Sequence, residues 1–332
     1  MQLPLRGAIA GCGYFGRIQL EAWSRMPEVR IVAAADPDIE RARQAAPAAY
    51  ADAAEMLERE RPDFLDIATR PDSHLELVSL AAAHRIPVIC QKPMARDWAE
   101  AVRMVEAAEA AGIPFMIHEN WRFQPWYREA ARRIGRGDIG RPVAYWFHVR
   151  QRDGLGPAPY PRQPYFVEMP RLLIYETLVH QIDTARFLFG DVARIYADIR
   201  RVNPVIRGED QATLVLRHAS ELPGVIESHR FADPVPKGPA MGDACFDGDE
   251  ATLLVRATGE IFLGETLVWT PPPEQGYKGD SVLATQRHFI ECLLSGRQFE
   301  TSGREYLKTF AVVEAAYESA ARGAAVALSA WL

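Results

Sequence analysis

Gly11-Cys12-Gly13-Tyr14-Phe15-Gly16, with Asp36 twenty residues further on, is the stretch on which the reading of this chain turns. An apolar run, Arg6–Ala10, leads into it, and a helical stretch, Phe15–Met26, leaves it. In that setting Gly11 permits a tight strand-to-helix turn, Gly13 lets the backbone approach a pyrophosphate, and Gly16 allows helix and strand to pack closely. The amides that open the helix would face the phosphate oxygens, aided by the helix dipole. Tyr14 and Phe15 lie between these glycines and belong to the same expected cofactor contact. Asp36 closes the second apolar run, Val29–Ala35, where a carboxylate hydrogen-bonds a ribose 2′-hydroxyl. A plain structural turn plus an unrelated Asp-Pro turn is the alternative, and the spacing favours a dinucleotide. A carboxylate at 36 repels a 2′-phosphate, which favours NAD; Arg41 and Arg43 nearby keep NADP open.

Outward from this motif, the first third alternates apolar runs with amphipathic stretches. Further runs are Phe64–Ala68, Pro87–Cys90 and Pro114–His118, and the helical stretches between them are Asp38–Ala46, Ala53–Glu60, Asp72–His84 and Asp97–Ala111. Strand–helix alternation predicts right-handed crossovers and a parallel sheet covered on both faces. Beyond about residue 141 the texture changes to Val143–Arg150, Arg194–Asn203, Gln211–Arg217, Gly224–Phe231, Ala251–Ala257 and Glu260–Leu263, which read as strands of a second sheet. A helix at Arg171–Phe189 interrupts them, and helices at Ser281–Leu294 and Gly303–Arg322 close the chain. Asp153–Pro164 and Pro234–Gly242 read as loops. The expected fold is therefore α/β: a Rossmann dinucleotide-binding domain over 1–122, then an α/β domain over 123–332 with a large open, mostly antiparallel sheet. The last helices are expected to pack back on the first domain.

With 332 residues, a net charge of −6 and ordinary apolar content, the chain is globular and carries no basic footprint for nucleic acid or anionic membrane. No apolar run approaches the length of a membrane span, and the first residues show no basic region followed by a long apolar stretch, so no signal peptide is expected. Cys12, Cys90, Cys245 and Cys292 form no Cys-x-x-Cys pair, which suits a reducing cytoplasm. His118 and Glu119 lack a metal-ligand pattern, and no metal is expected.

Two segments leave strand ends where a nicotinamide would lie: Thr69-Arg70-Pro71-Asp72-Ser73-His74 and Gln91-Lys92-Pro93. Together with Gly11–Gly16, with Ala68–His74 and with Glu176-Thr177-Leu178-Val179-His180-Gln181-Ile182-Asp183, in that order, they make the chain resemble the Gfo/Idh/MocA family of nicotinamide-dependent sugar and polyol dehydrogenases. The likeness spans essentially the whole chain and includes His118-Glu119-Asn120-Trp121-Arg122. It implies a second domain whose open sheet forms homodimers or homotetramers. It also implies Thr69, Arg70, His74, Gln91, Lys92 and Asn120 as cofactor contacts. Ile89–Pro93, Arg201–Pro204 with Gly208-Glu209-Asp210, and Thr301–Gly303 through Glu318 resemble the D-apiose dehydrogenase subgroup, whereas the His180 helix is closer to inositol dehydrogenases.

On a helix, Glu176, His180 and Asp183 are spaced i, i+4 and i+7 and form one stripe amid apolar residues, which an ionisable stripe must justify. A Glu–His pair tying helix to sheet is the bland alternative. As chemistry, His180 suits the base that takes a carbinol proton while hydride leaves. Glu176 would hold the imidazole in its tautomer, and Lys92 would hydrogen-bond the reacting oxygen. Gln91 stands where the family usually has Glu, Glu176 where it has Asp, and Leu172-Leu173-Ile174-Tyr175 where it has small residues. Arg122, Asp183 and Tyr165 are expected to line the substrate pocket, Arg122 being equally able to form a structural ion pair. Trp121, Trp126, Tyr160 and Phe166 could stack on a sugar or simply fill the core. Rival functions on the same site are an aldose–aldose oxidoreductase or a keto-intermediate hydrolase that retains NAD, and a non-catalytic dinucleotide sensor.

Overall fold

The computed structural model describes residues 3–273 and 276–331, so Met1 and Leu332, the outer ends of the two expected domains, lie outside the described residues. The chain forms two compact units, Met1–Asn120 with Val282–Leu307, and Trp121–Ser281 with Lys308–Leu332.

The first unit alternates β1 (Leu5–Ala10), α1 (Tyr14–Ser24), β2 (Val29–Ala35), α2 (Ile39–Ala45), β3 (Ala48–Tyr50), α3 (Ala53–Glu60), β4 (Phe64–Ile67), α4 (His74–Ala83), β5 (Val88–Gln91), α5 (Trp98–Ala111) and β6 (Phe115–His118). All pairings are parallel in the order β3-β2-β1-β4-β5-β6. The order reverses between β1 and β4, and a ligand crevice opens beyond the carboxyl ends of strands at such a point. The strands are mostly apolar because helices cover both faces. Asp38, Asp52 and Asp97 cap α2, α3 and α5 by accepting from the backbone N–H groups of Glu40, Glu55 and Glu100. Gly112 ends α5 at φ +67°, in the left-handed conformation that favours glycine. The edge strand β3 was not expected: three residues with two alanines carry no strand pattern of their own, and pairing with β2 makes them one.

The second unit opens with α6 (Pro125–Gly135), a helix absent from the expected set. Pro at its first turn is a good start signal, but its buried face includes Arg133 beside Trp126, Tyr127 and Ala130, so the apolar stripe is interrupted. Next come β7 (Pro142–Arg150), a π-helical turn at Leu173–Leu178, α7 (Val179–Phe189), β8 (Val192–Arg200), β9 (Gln211–His218), β10 (Pro223–His229), β11 (Gly242–Gly248), β12 (Thr252–Val255), β13 (Ile261–Leu263) and β14 (Thr266–Trp269). The closing helices are α8 (Ser281–Ser295) and α9 (Gly303–Arg322), followed by β15 (Val326–Ala327). Nine strands form one sheet, β14-β13-β12-β11-β7-β10-β9-β8-β15, antiparallel except for the β7–β10 pair. Alternation is clear on β9, where Ala212, Leu214 and Leu216 are buried while Val215 is exposed. β11 is a correction, since Gly242 was expected to end a loop and the strand lies at the sheet's middle.

The helix expected over Arg171–Phe189 is not α-helical throughout. Its first turn is π-helical, with one extra residue in each hydrogen-bonded ring. The α-helical stripe of Glu176, His180 and Asp183 is thereby broken between Glu176 and His180.

Candidate active site

In the first unit the glycine turn has the shape that a pyrophosphate requires. Gly11 has φ +94°, and a Cβ there would meet the backbone of Ala68 and Thr69 at 2.8 Å. A Cβ on Gly16 would lie 2.1 Å from the Gly11 carbonyl oxygen, whereas one on Gly13 meets nothing within 4 Å. Gly13 also caps α1 without a side-chain hydrogen bond, and no acid occupies the helix's first turn. The open space at Gly13, at the start of α1, therefore fits an anionic phosphate group. Tyr14 is exposed, and the Phe15 ring meets His118 edge-on at 6.1 Å.

Asp36 is buried at the end of β2. One carboxylate oxygen accepts from Cys12 N (2.8 Å) and the other from Asp38 N (2.9 Å). Each oxygen keeps a lone pair for a ribose hydroxyl, and the same bonds tie the glycine turn to β2. Burial, and then the Asp36 charge, push the Cys12 thiol up to about 12, so it stays protonated in the turn.

Thr69 and Arg70 follow β4, with Arg70 exposed and the Thr69 hydroxyl accepting from Ser73 at 2.7 Å. His74 was expected as a cofactor contact. It is wholly buried, its Nδ1 lies 3.1 Å from the Met94 carbonyl, and its Nε2 lies 3.2 Å from the Thr69 carbonyl. Burial also lowers its pKa. Its nitrogens thus tie the segment after β4 to the segment after β5. Gln91 Oε1 accepts the Lys92 backbone N–H at 2.6 Å, which fixes the amide's orientation and leaves Nε2 a buried donor without a partner among the described residues. A ligand oxygen would satisfy it. Lys92 is half-buried and Asn120 buried. Among the described residues no group of three or more His, Cys, Asp and Glu could hold a metal ion.

In the second unit His180 is buried, with its imidazole stacked on the Trp121 indole at 4.6 Å and 21°. Trp121 is therefore a support for the imidazole; its place beside Asn120 and Arg122 was the available signal. Glu176 Oε2 accepts from the Thr177 hydroxyl at 3.0 Å and stands 3.8 Å from Arg230. Arg230, at the end of β10, belongs to no motif, and nothing in the sequence singled it out.

Arg122 and Asp183 were expected to line a substrate pocket. They pair with each other: Nε and Nη2 of Arg122 reach the two Asp183 oxygens at 2.7 Å each, and Thr309 donates to one of them at 2.9 Å. With Asp183 wholly buried, this is the structural ion pair. Trp126, Tyr160 and Phe166 are buried as well, while Tyr165 is exposed and its hydroxyl accepts from Gln163.

Residues 5–119 match the model of an oxidoreductase family with an NAD-binding Rossmann fold, and residues 127–243 match the GFO/IDH/MocA C-terminal domain. A D-apiose dehydrogenase of Paraburkholderia graminis is 39% identical, with 97% of this chain and 89% of that protein aligned. A D-apiose dehydrogenase of Rhizobium rhizogenes is 37% identical over 99% of both chains. A crystal structure of an oxidoreductase from Agrobacterium radiobacter, in complex with NAD+, L-tartaric acid and magnesium, superposes with a TM-score of 0.91 at 36% identity, covering 99% of this chain and 100% of that one. The cradle at Gly13, the carboxylate at Asp36 and these likenesses converge: the chain belongs to the GFO/IDH/MocA oxidoreductases and is an NAD-binding dehydrogenase.

Proposed function

We propose that the protein oxidises a CH–OH carbon of a sugar, with D-apiose as the first substrate to test. The observation that carries this reading is the buried His180 imidazole, held flat on Trp121, on the helix that follows the Glu176 turn. His180 takes the hydroxyl proton. Lys92 donates to the reacting oxygen and stabilises its developing negative charge. Glu176 steadies the cationic imidazole. NAD, when bound, accepts the hydride. We assign cofactor binding to residues 1–122, through Gly11, Gly13, Tyr14, Phe15, Gly16, Asp36, Thr69, Arg70, Gln91, Lys92 and Asn120. The sugar falls to residues 123–332, with Tyr165 as an exposed aromatic toward it. The near full-length alignment with two D-apiose dehydrogenases supports the sugar.

Two further readings go with it. The exposed Tyr196 and Val215 on one face of the nine-stranded sheet support a homodimer or homotetramer through that face. Four unpaired cysteines support a reducing cytoplasm, and no helix among the described residues is long and apolar enough to cross a membrane.

The test is NADH formation from D-apiose, other pentoses, hexoses, inositols and sugar acids, with NADP in parallel. Turnover of D-apiose with NAD is the expected result. Calorimetric NAD binding with no turnover of any sugar would overturn the reading in favour of a retained-cofactor cycle or a sensor.

A further inference from the structure

Arg230 is almost wholly buried, and a buried guanidinium is costly unless its donors are matched. Its Nη1 donates to Asp153 (3.0 and 3.1 Å) and to Gln151, and its Nη2 donates to the Thr177 hydroxyl at 3.0 Å. The Tyr160 and Phe166 rings lie 5.2 and 5.7 Å from its central carbon. Thr177 passes the bond on, donating to Glu176 Oε2 at 3.0 Å. The polarity of this relay is fixed. Arginine only donates and an ionised carboxylate only accepts, so the single hydroxyl proton of Thr177 must point to Glu176.

Both ends of the relay are pinned. The π turn that presents Thr177 is a rare conformation, frequent at functional sites. The carboxylate of Glu209 holds its start by accepting from Leu172 N (3.2 Å) and Ile174 N (2.9 Å). At the other end, Asn203 Nδ2 donates to the Gly154 carbonyl (2.7 Å) and the Gly156 carbonyl (3.0 Å), and Gly154 N donates to the Arg230 carbonyl at 3.0 Å. A continuous chain of hydrogen bonds thus runs from the Gln151–Gly156 segment through Arg230 and Thr177 to Glu176.

We propose that Arg230 is a positioning residue which, through the Thr177 hydroxyl, fixes the Glu176 carboxylate and couples it to the 151–166 segment. The proposal rests on the reading that His180 and Glu176 handle the substrate proton. Asp153 and Gln151 both engage Nη1, so stapling the segment to the sheet accounts for Nη1 and leaves Nη2 over. The third bond, to the residue beside Glu176, is the one that a positioning role requires.

The test compares Thr177→Val, which keeps the side chain's shape and removes the relay, with Thr177→Ser, which restores the hydroxyl. It uses the full-length protein with NAD and D-apiose. The expected result is a fall in kcat of about tenfold in Thr177→Val, with KM for D-apiose and affinity for NAD held within about twofold, and recovery in Thr177→Ser. Unchanged kcat in Thr177→Val overturns the proposal, as does a loss confined to KM, which would mean that Thr177 meets the sugar itself. His180→Ala is the control. If it turns over as fast as the unmodified protein, or if the unmodified protein oxidises no sugar of the panel, the proton-transfer reading has failed. Amide hydrogen exchange without sugar then decides the relay. Faster exchange across 151–166 in Thr177→Val, reversed in Thr177→Ser, upholds it, and unchanged exchange in Thr177→Val overturns it.

Discussion

The imidazole of His180 rests on the indole of Trp121, ring centres 4.6 Å apart and planes within 21° of parallel. A stacked pair of this kind contributes about 0.5–1.5 kcal/mol beyond the area it buries, and it restricts imidazole rotation about χ2. A base that must meet one proton gains from that restriction. Trp121→Phe keeps a ring and shrinks it. The expected outcome is a fall in kcat for sugar oxidation of about three- to tenfold with NAD affinity unchanged. Steady-state kinetics with calorimetry checks it, and an unchanged kcat would mean that Trp121 only fills space.

The glycine turn separates a folding demand from a binding demand. A Cβ on Gly16 would sit 2.1 Å from the Gly11 carbonyl oxygen, so Gly16→Ala must push helix from strand. It should cost about 1–3 kcal/mol of stability and NAD binding with it. A Cβ on Gly13 meets nothing. Gly13→Ala should therefore melt like the unmodified protein yet bind NAD weakly, because the space it fills is where the pyrophosphate must come. Thermal denaturation without cofactor and titration with NAD tell the two apart. A Gly13→Ala protein that binds NAD normally would show that the phosphate does not approach there.

Asp36 accepts from Cys12 N and Asp38 N, so its carboxylate shapes the turn, and its charge would repel a 2′-phosphate. Asp36→Ser retains a short acceptor and removes the charge. NAD affinity should fall and the preference for NAD over NADP should narrow. Calorimetric titration with both cofactors is the measurement, and an unchanged ratio of the two affinities would leave cofactor choice to other residues.

Arg122 and Asp183 hold each other by two 2.7 Å bonds in a buried setting. Removing one charge strands the other. Asp183→Asn should cost about 3–5 kcal/mol, and an apolar double replacement, Arg122→Met with Asp183→Leu, should recover much of it. Denaturant midpoints decide. A mild single variant that loses sugar turnover would return Asp183 to the substrate.

What the sequence made legible was whatever a local backbone demand enforces. Gly11, Gly13 and Gly16 with Asp36 are such a demand. What stayed hidden was set by distant partners. In α6, Arg133 sits in the buried face because Glu129, Asp138 and the Val268 carbonyl receive it there, so the stripe did not look apolar. β11 begins and ends on glycine and carries Asp243 and Asp247, which read as turn residues; pairing with β7 and β12 makes it a strand. The π turn shares its residue types with an ordinary helix, and the carboxylate of Glu209, far along the chain, holds its start. His74 belongs to the segment after β4, and its burial between the Met94 and Thr69 carbonyls is not written in a motif.

Asp66, in the middle of β4, offers a prediction on stability rather than chemistry. Its carboxyl is fully buried and accepts from Gln19 Nε2 (3.0 Å) and Trp23 Nε1 (2.7 Å). Burial outweighs those two bonds and raises its pKa from 3.8 to about 7. A carboxyl whose pKa is higher folded than unfolded holds its proton more tightly in the native state. Its contribution is fully present below pH 3.8 and is lost as pH rises toward about 7. Over that window Asp66 therefore makes the protein less stable as pH increases. Asp66→Asn keeps an acceptor for Trp23 and cannot ionise, so the decline across the window should flatten. Denaturation midpoints at several pH values, for both proteins, give the comparison. Parallel pH profiles would show that Asp66 is ionised in the fold and that its two donors, not its burial, set its charge.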